Sequence, residues 1–256
     1  MKKRNLVVAN WKMNPETLTE AKEIFNPPRN FAKNLKNTDV VVCPPFPFIQ
    51  PLSKLKLPKN IFFGAQNVSS EIKGAWTGEI SAEMLKGLGV KFVLVGHSER
   101  RTLGESGEIF SKKLQRAFDA GLTPIFCIGE KERNKDGRHL EVIKNQIKEG
   151  LSGLPKKHLV GIMIAYEPVW AIGKSYKDAM TPTDIHETVL FIKKIISESF
   201  GRDIAGGCKI FYGAAVEAEN VALIVEQGNV DGLLVGHASL KPEEFLKILK
   251  AIDIKK

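Results

Sequence analysis

Short apolar runs and longer amphipathic stretches alternate along the chain. The short runs begin near Leu6, Asp39, Ile61, Phe92, Thr123, Gly161, Lys209 and Gly232. Each is bounded by turn-forming residues and reads as a buried strand. Helical spacing fills the intervals, at about 17–36, 46–55, 81–88, 106–120, 138–150, 183–200, 217–227 and 241–252. Ile185, Val189, Ile192 and Ile196 make an i, i+4, i+7, i+11 stripe on one of these helices. Ser81 can cap another, with Met84 and Leu85 expected on its buried side. Pro27 and Pro28 interrupt the first helix. An interior proline costs about 3 kcal/mol or more, so that helix is expected to break into two pieces. Eight β-then-α units with no break in composition predict an α/β protein built as one closed (β/α)8 barrel, a single domain over 1–256. An open doubly wound sheet would also alternate, but usually with fewer units and a glycine-rich turn after its first strand. Here that strand runs into Asn10-Trp11-Lys12.

Chemistry enters most visibly at 161–173, GIMIAYEPVWAIG. Strand alternation puts Gly161, Met163, Ala165 and Glu167 on one face, and Ile162, Ile164 and Tyr166 on the other. Inward residues of that size suit a narrow barrel filled by side chains. Glu167 stands at the strand's end, and Pro168 holds it extended. The following Val169, Trp170, Ala171 and Ile172 are too apolar for an ordinary exposed loop. They read as a lid beside a carboxylate, although a terminal Glu in a surface ion pair would leave the same pattern.

Composition narrows the setting. The 256 residues match the usual size of such a barrel, about 250, and 43% hydrophobic residues supply a core. No apolar run approaches the roughly 20 residues needed to cross a membrane. The N-terminal MKKRNLVVANWK loses its apolar character after Ala9, so no export signal is read and a cytoplasmic location is expected. Cys43, Cys127 and Cys208 are scattered, with neither disulfide nor metal-binding spacing, and read as small buried thiols. The net charge of +9 permits nucleic acid or a small anionic substrate. The lysines are spread along helices and no nucleic-acid motif is visible, so no nucleic-acid or membrane partner is expected.

In a barrel of this kind the active site lies at the C-terminal ends of the strands. Those ends carry Asn10 and Lys12, then His97-Ser98-Glu99, Cys127 with Gly129-Glu130, Glu167, Tyr212-Gly213, and Gly236-His237. Alternation puts Asn10 and Lys12 on one side. The last two ends precede helices and offer backbone N–H groups to an anion. Singly, Lys12 fits a surface lysine, His97 a structural cap, and Glu99 a partner for Arg100 or Arg101. Jointly, a barrel brings an amide, a lysine, a histidine and a glutamate to one rim.

The chain resembles the triosephosphate isomerase family, in VANWKMN at 8–14, GAQNVSSEIKGAWTGEISAEML at 64–85, VLVGHSERR at 93–101, AYEPVWAIG at 165–173 and VGHASLKPEEF at 235–245. The similarity runs in order over essentially the whole length and implies a TIM barrel. It implies interconversion of dihydroxyacetone phosphate and D-glyceraldehyde 3-phosphate, with Glu167 as the base and His97 as a neutral imidazole polarising the carbonyl. Lys12 would supply positive charge near the oxyanion and phosphate. Asn10 would donate to the same oxygens, and Glu99 would pair with Lys12 or relay to His97. Gly173 and the backbone at Ala215, Gly236 and His237 match the phosphate grip. No metal, nucleotide or redox cofactor is implied. Segment 66–80 matches a loop that inserts into a neighbouring subunit, implying at least a homodimer. A different sugar-phosphate reaction on the same barrel, or a non-catalytic phosphate-binding barrel, are the alternatives.

Three departures all touch the lid or phosphate grip. The usual YGGSV appears as Tyr212-Gly213-Ala214-Ala215-Val216, without the serine. The usual Gly-Gly before ASL is Gly236-His237, and the stretch between Gly173 and Thr181 is about two residues longer than the family pattern.

Overall fold

The computed structural model describes residues 4–134, 136–175, 177 and 180–254. Eight parallel strands close into a barrel in sequence order. They are β1 (Asn5–Asn10), β2 (Thr38–Cys43), β3 (Ile61–Ala65), β4 (Val90–Val95), β5 (Thr123–Ile128), β6 (Met163–Tyr166), β7 (Lys209–Tyr212) and β8 (Gly232–Val235). β1 pairs with both β2 and β8, which seals the sheet and leaves no edge strand. Helices α1 (Leu18–Ala32), α2 (Phe46–Ser53), α3 (Ala82–Gly87), α4 (Ser98–Thr102), α5 (Gly107–Asp119), α6 (Arg138–Leu151), α7 (Lys156–Leu159), α8 (Pro182–Phe200), α9 (Arg202–Gly207), α10 (Val221–Gln227) and α11 (Pro242–Ile252) fill the connections. The short α4, α7 and α9 are additional to the eight helices expected from spacing.

Two cores follow from strand alternation. Inside the barrel, Val8, Val41, Leu94, Ile125, Met163, Ala165 and Phe211 pack with Cys43 and Cys127. Ile162, Ile164 and Tyr166 point outward into the larger core between sheet and helices, as the alternation of β6 requires. All three cysteines are buried and unpaired. Among the described residues no helix is long and apolar enough to cross a membrane.

Two expectations fail. α1 does not break: it runs continuously through Pro27 and Pro28. Its N-terminus is held by a capping box between Thr17 and Glu20, and it buries Ala21, Phe25, Pro28 and Ala32 on one stripe. Packing of that stripe, with Phe25 stacked on Phe63, offsets the two intrahelical bonds the prolines cannot donate. Met84 is not on the buried side of α3 but largely exposed, while its neighbour Leu85 is fully buried. Adjacent positions on a helix are about 100° apart, so a helix of six residues with one buried stripe cannot cover both.

Candidate active site

The strand ends converge as the barrel requires. A cavity of about 630 Å³ is lined by Asn10, Lys12, His97 and Glu167 on one side. Gly173, Ala215, Gly236 and His237 line it too. Glu99 lies outside this lining and reaches the site through Lys12, its carboxylate Oε1 being 2.7 Å from Lys12 Nζ. Its Oε2 is 3.7 Å from His97 Nδ1, so of the two roles expected for Glu99 the geometry favours the Lys12 pair. Arg100 instead pairs with Glu105, and Arg101 donates to the carbonyls of Gly96 and Cys127.

Asn10 and Lys12 meet for a different reason from the one expected. β1 ends at Asn10, and Lys12 adopts a left-handed φ of 54°. Such a conformation costs a non-glycine residue about 1–3 kcal/mol and persists only where its surroundings fix it. Here Lys12 N–H donates to Asn10 Oδ1 at 3.0 Å, and Lys12 O accepts from Gln66 Nε2 at 2.8 Å. Gln66 also donates to Cys43 O at 2.8 Å, tying the turn to β2. The turn, rather than strand alternation, sets the lysine.

Glu167 is 4% exposed and His97 5%. His97 Nε2 stands 3.2 Å from Glu167 Oε1. Glu167 N–H donates to Ile128 O at 2.7 Å, which docks its backbone directly on β5. A Cβ on Gly129 would fall 1.8 Å from Glu167 O, so only glycine permits this approach. Gln146 of α6 fixes Gly129, accepting from its N–H at 2.8 Å and donating to its carbonyl at 3.0 Å. On the other side, a Cβ on Gly213 would stand 3.2 Å from Glu167 Cγ.

His97 caps α4, and its Nδ1 accepts from Glu99 N–H at 3.3 Å. A ring that accepts there carries its proton on Nε2, facing Glu167. Burial works to lower the ring's pKa, but the charge and hydrogen bond of Glu167, followed by Glu99, outweigh it, with Lys12 in opposition. The pKa is therefore raised above the ordinary histidine value. The neutral imidazole expected at His97 is the form that accepts Glu99 N–H at Nδ1.

The lid begins at Pro168 and turns through a 3-10 segment at Val169–Ala171. Val169 N–H donates to Glu130 O at 2.9 Å. The buried Glu130 carboxylate accepts from Trp170 Nε1 at 2.8 Å and Tyr166 O–H at 2.9 Å. This anchor was missed in the sequence beyond Glu130 being noted at a strand end. Gly173 has a left-handed φ of 78° that favours glycine. Tyr176, Asp178 and Ala179, within the longer 174–180 segment, lie outside the described residues.

At the opposite end, α10 starts only at Val221, so the loop after β7, not a helix N-terminus, borders the cavity. Gly236 lies close to Lys12: a Cβ there would be 3.7 Å from Lys12 Cε. His237 opens a 3-10 turn at His237–Leu240 and is exposed. Lys12 and Asn229 alone among the described non-glycine residues have positive φ, so His237 replaces a glycine without backbone strain. Among the described residues no group of three or more His, Cys, Asp or Glu side chains is placed to hold a metal ion.

A family model described as Triosephosphate isomerase matches residues 5–252. The chain belongs to the triosephosphate isomerase family. Similar relatives bear the same description. That of Dictyoglomus thermophilum is 42% identical over 251 residues, covering 97% of this chain and 100% of the relative. That of Carboxydothermus hydrogenoformans is 41% identical over 250 residues, 97% and 98%. That of Aquifex aeolicus is 40% identical over 248 residues, 96% and 98%.

Proposed function

We propose that Glu167 is the base with which this chain, a triose-phosphate isomerase of the aldose–ketose class, interconverts dihydroxyacetone phosphate and D-glyceraldehyde 3-phosphate. The observation that carries this reading is the pairing of a buried Glu167 carboxylate with His97 Nε2, 3.2 Å apart on the cavity wall. A proton leaves the hydroxyl-bearing carbon for Glu167, and its electron pair moves onto the neighbouring carbonyl oxygen to form an enediolate. His97 Nε2–H donates to that oxygen, and the Lys12 ammonium stabilises the negative charge electrostatically. Asn10 donates to the same oxygens through its side-chain amide. The hydroxyl proton passes by way of the His97 ring to the enediolate oxygen, and delivery of the proton from Glu167 to the adjacent carbon completes the isomerisation.

The raised pKa of His97 fits this sequence of events. It arises from the Glu167 charge beside the ring. Once the carboxylate turns to the substrate carbon, that support weakens, and the ring that accepts Glu99 N–H acts as a neutral donor. Glu99 pairs with Lys12 and fixes its direction. Backbone at Gly173, Ala215, Gly236 and His237 holds the phosphate. The test is a coupled assay for dihydroxyacetone phosphate formed from D-glyceraldehyde 3-phosphate. Turnover supports the reading, and a folded protein without turnover refutes it.

The same reading treats 1–256 as one barrel domain, acting in the cytoplasm as a homodimer through the 66–80 loop. Exposed apolar side chains support the dimer: Ile72 and Trp76 in that loop, Met84 just beyond it, and Met13 beside Lys12. Sedimentation of wild type and Trp76→Glu tests it. A monomeric wild type would contradict the dimer.

A further inference from the structure

We propose that Asn220 is a positioning residue for the substrate's phosphate, setting the loop after β7 so that its N–H groups rather than a carbonyl meet the anion. The inference rests on the assignment of this rim as the phosphate end.

Asn220 occupies the N-cap position of α10, where an asparagine ordinarily accepts from its own helix and contributes about 1 kcal/mol. It makes no such bond. Its side chain reaches backward instead. Nδ2 donates to Ala215 O at 2.9 Å, and Oδ1 accepts from Glu217 N–H at 2.9 Å. One amide therefore ties the backbone on both sides of Val216. Within this loop the backbone's own bonds are short-range, Val216 N–H to Ala214 O at 2.9 Å and Asn220 N–H to Glu217 O at 3.1 Å. Neither fixes the Ala215 carbonyl. The loop after β8 is built on the same plan, because Ser239 Oγ donates to Gly236 O at 2.7 Å.

Ala215 and Gly236 both line the cavity. A carbonyl oxygen turned toward a phosphate dianion repels it, whereas successive N–H groups attract it. Occupying each carbonyl with a side-chain donor removes the unfavourable orientation. At Ala215 this matters more, because the side chain there has no hydroxyl to hold the anion or the lid. In the amino-acid sequence Asn220 falls inside the helix expected over 217–227, where nothing sets it apart.

The test compares Asn220→Ala with Asn220→Ser. Serine can still cap α10 but offers one hydroxyl in place of the two-ended amide. Measured quantities are the inhibition constant of inorganic phosphate, KM for D-glyceraldehyde 3-phosphate, kcat and the thermal midpoint. Loss of two hydrogen bonds predicts that KM and the phosphate inhibition constant rise together, by roughly tenfold, in both variants. kcat should change by less than about threefold, since the interaction is made in ground and transition states alike. If Asn220→Ala does not fold, Asn220→Ser carries the comparison. Unchanged phosphate inhibition in a folded Asn220→Ser overturns the inference. Wild type that phosphate does not inhibit would overturn the phosphate-end assignment itself, and the inference with it.

Discussion

At one end of the cavity, Asn10, His97 and Glu167 are nearly buried side chains, and Lys12 is fixed by an ion pair and a constrained turn. At the other end, the boundary includes the loops at 213–219 and 236–238, with the exposed His237 among them, where the proposed phosphate contacts are backbone N–H groups. The two ends tolerate change differently. A side chain that performs chemistry offers particular atoms at a particular place, and its replacement removes them. A backbone N–H is supplied by every residue except proline, so the side chain can vary while the donor stays. The departures Ala214, Ala215 and His237 all fall on the second end, whereas Asn10, Lys12, His97 and Glu167 match the family's segments.

This contrast predicts the largest effect for Glu167→Gln, which keeps the shape and removes the base. kcat should fall by about 10²–10⁴ with little change in KM. Steady-state kinetics check this, and a variant with half the activity would place the base elsewhere.

The same variant sharpens the account of His97. In wild type, lowering pH through the ring's raised pKa adds a proton at Nδ1. The imidazolium can no longer accept Glu99 N–H, and it holds the Glu167 carboxylate in an ion pair. kcat/KM should therefore fall with acid through that pKa. In Glu167→Gln the main group raising the pKa is gone, so the ring should titrate at lower pH. Nitrogen NMR of the imidazole checks both states, and an unmoved pKa would mean that Glu167 does not govern the ring.

Effects at the phosphate end should be smaller. Ala215→Ser adds one hydroxyl hydrogen bond to the closed lid, about 0.5–1.5 kcal/mol, and should lower KM or tighten an enediolate-mimicking inhibitor by up to roughly tenfold. Unchanged affinity would indicate that the longer 174–180 segment closes the lid by other contacts.

The smallest effect is expected at His237. Its φ is unstrained and its ring exposed, so inhibitor affinity for wild type and His237→Gly should run parallel between roughly pH 5.5 and 8. Wild type binding progressively tighter toward acid, after correction for phosphate ionisation, would show that the imidazole joins the grip.

Most of the barrel was legible because its signal repeats: eight apolar runs, each followed by an amphipathic stretch. The ends of the strands were legible too, since a lysine, a histidine and two carboxylates are unusual where apolar runs stop. Local rules misled where tertiary packing overrode them. Pro27 and Pro28 obey a strong helix-breaking preference that the buried stripe of α1 outweighs. Gln66, Gln146 and Asn220 act through backbone bonds to residues distant in sequence or turned against the expected direction, so their roles follow from the tertiary fold and not from local pattern. Gly129, Glu130 and Gly213 were supporting positions with a sequence cue, since each stands directly where a strand ends.

The most direct test of the central claim, that Glu167 carries a proton between the two carbons, is the reaction of D-glyceraldehyde 3-phosphate in deuterated water, followed by proton NMR. A protonated carboxyl partitions between handing on the proton it took and exchanging it with solvent, so a share of the product acquires solvent hydrogen. The account predicts that wild type yields dihydroxyacetone phosphate carrying deuterium at the newly protonated carbon, and that Glu167→Gln loses turnover and incorporation together. Undiminished turnover and incorporation by Glu167→Gln would contradict it.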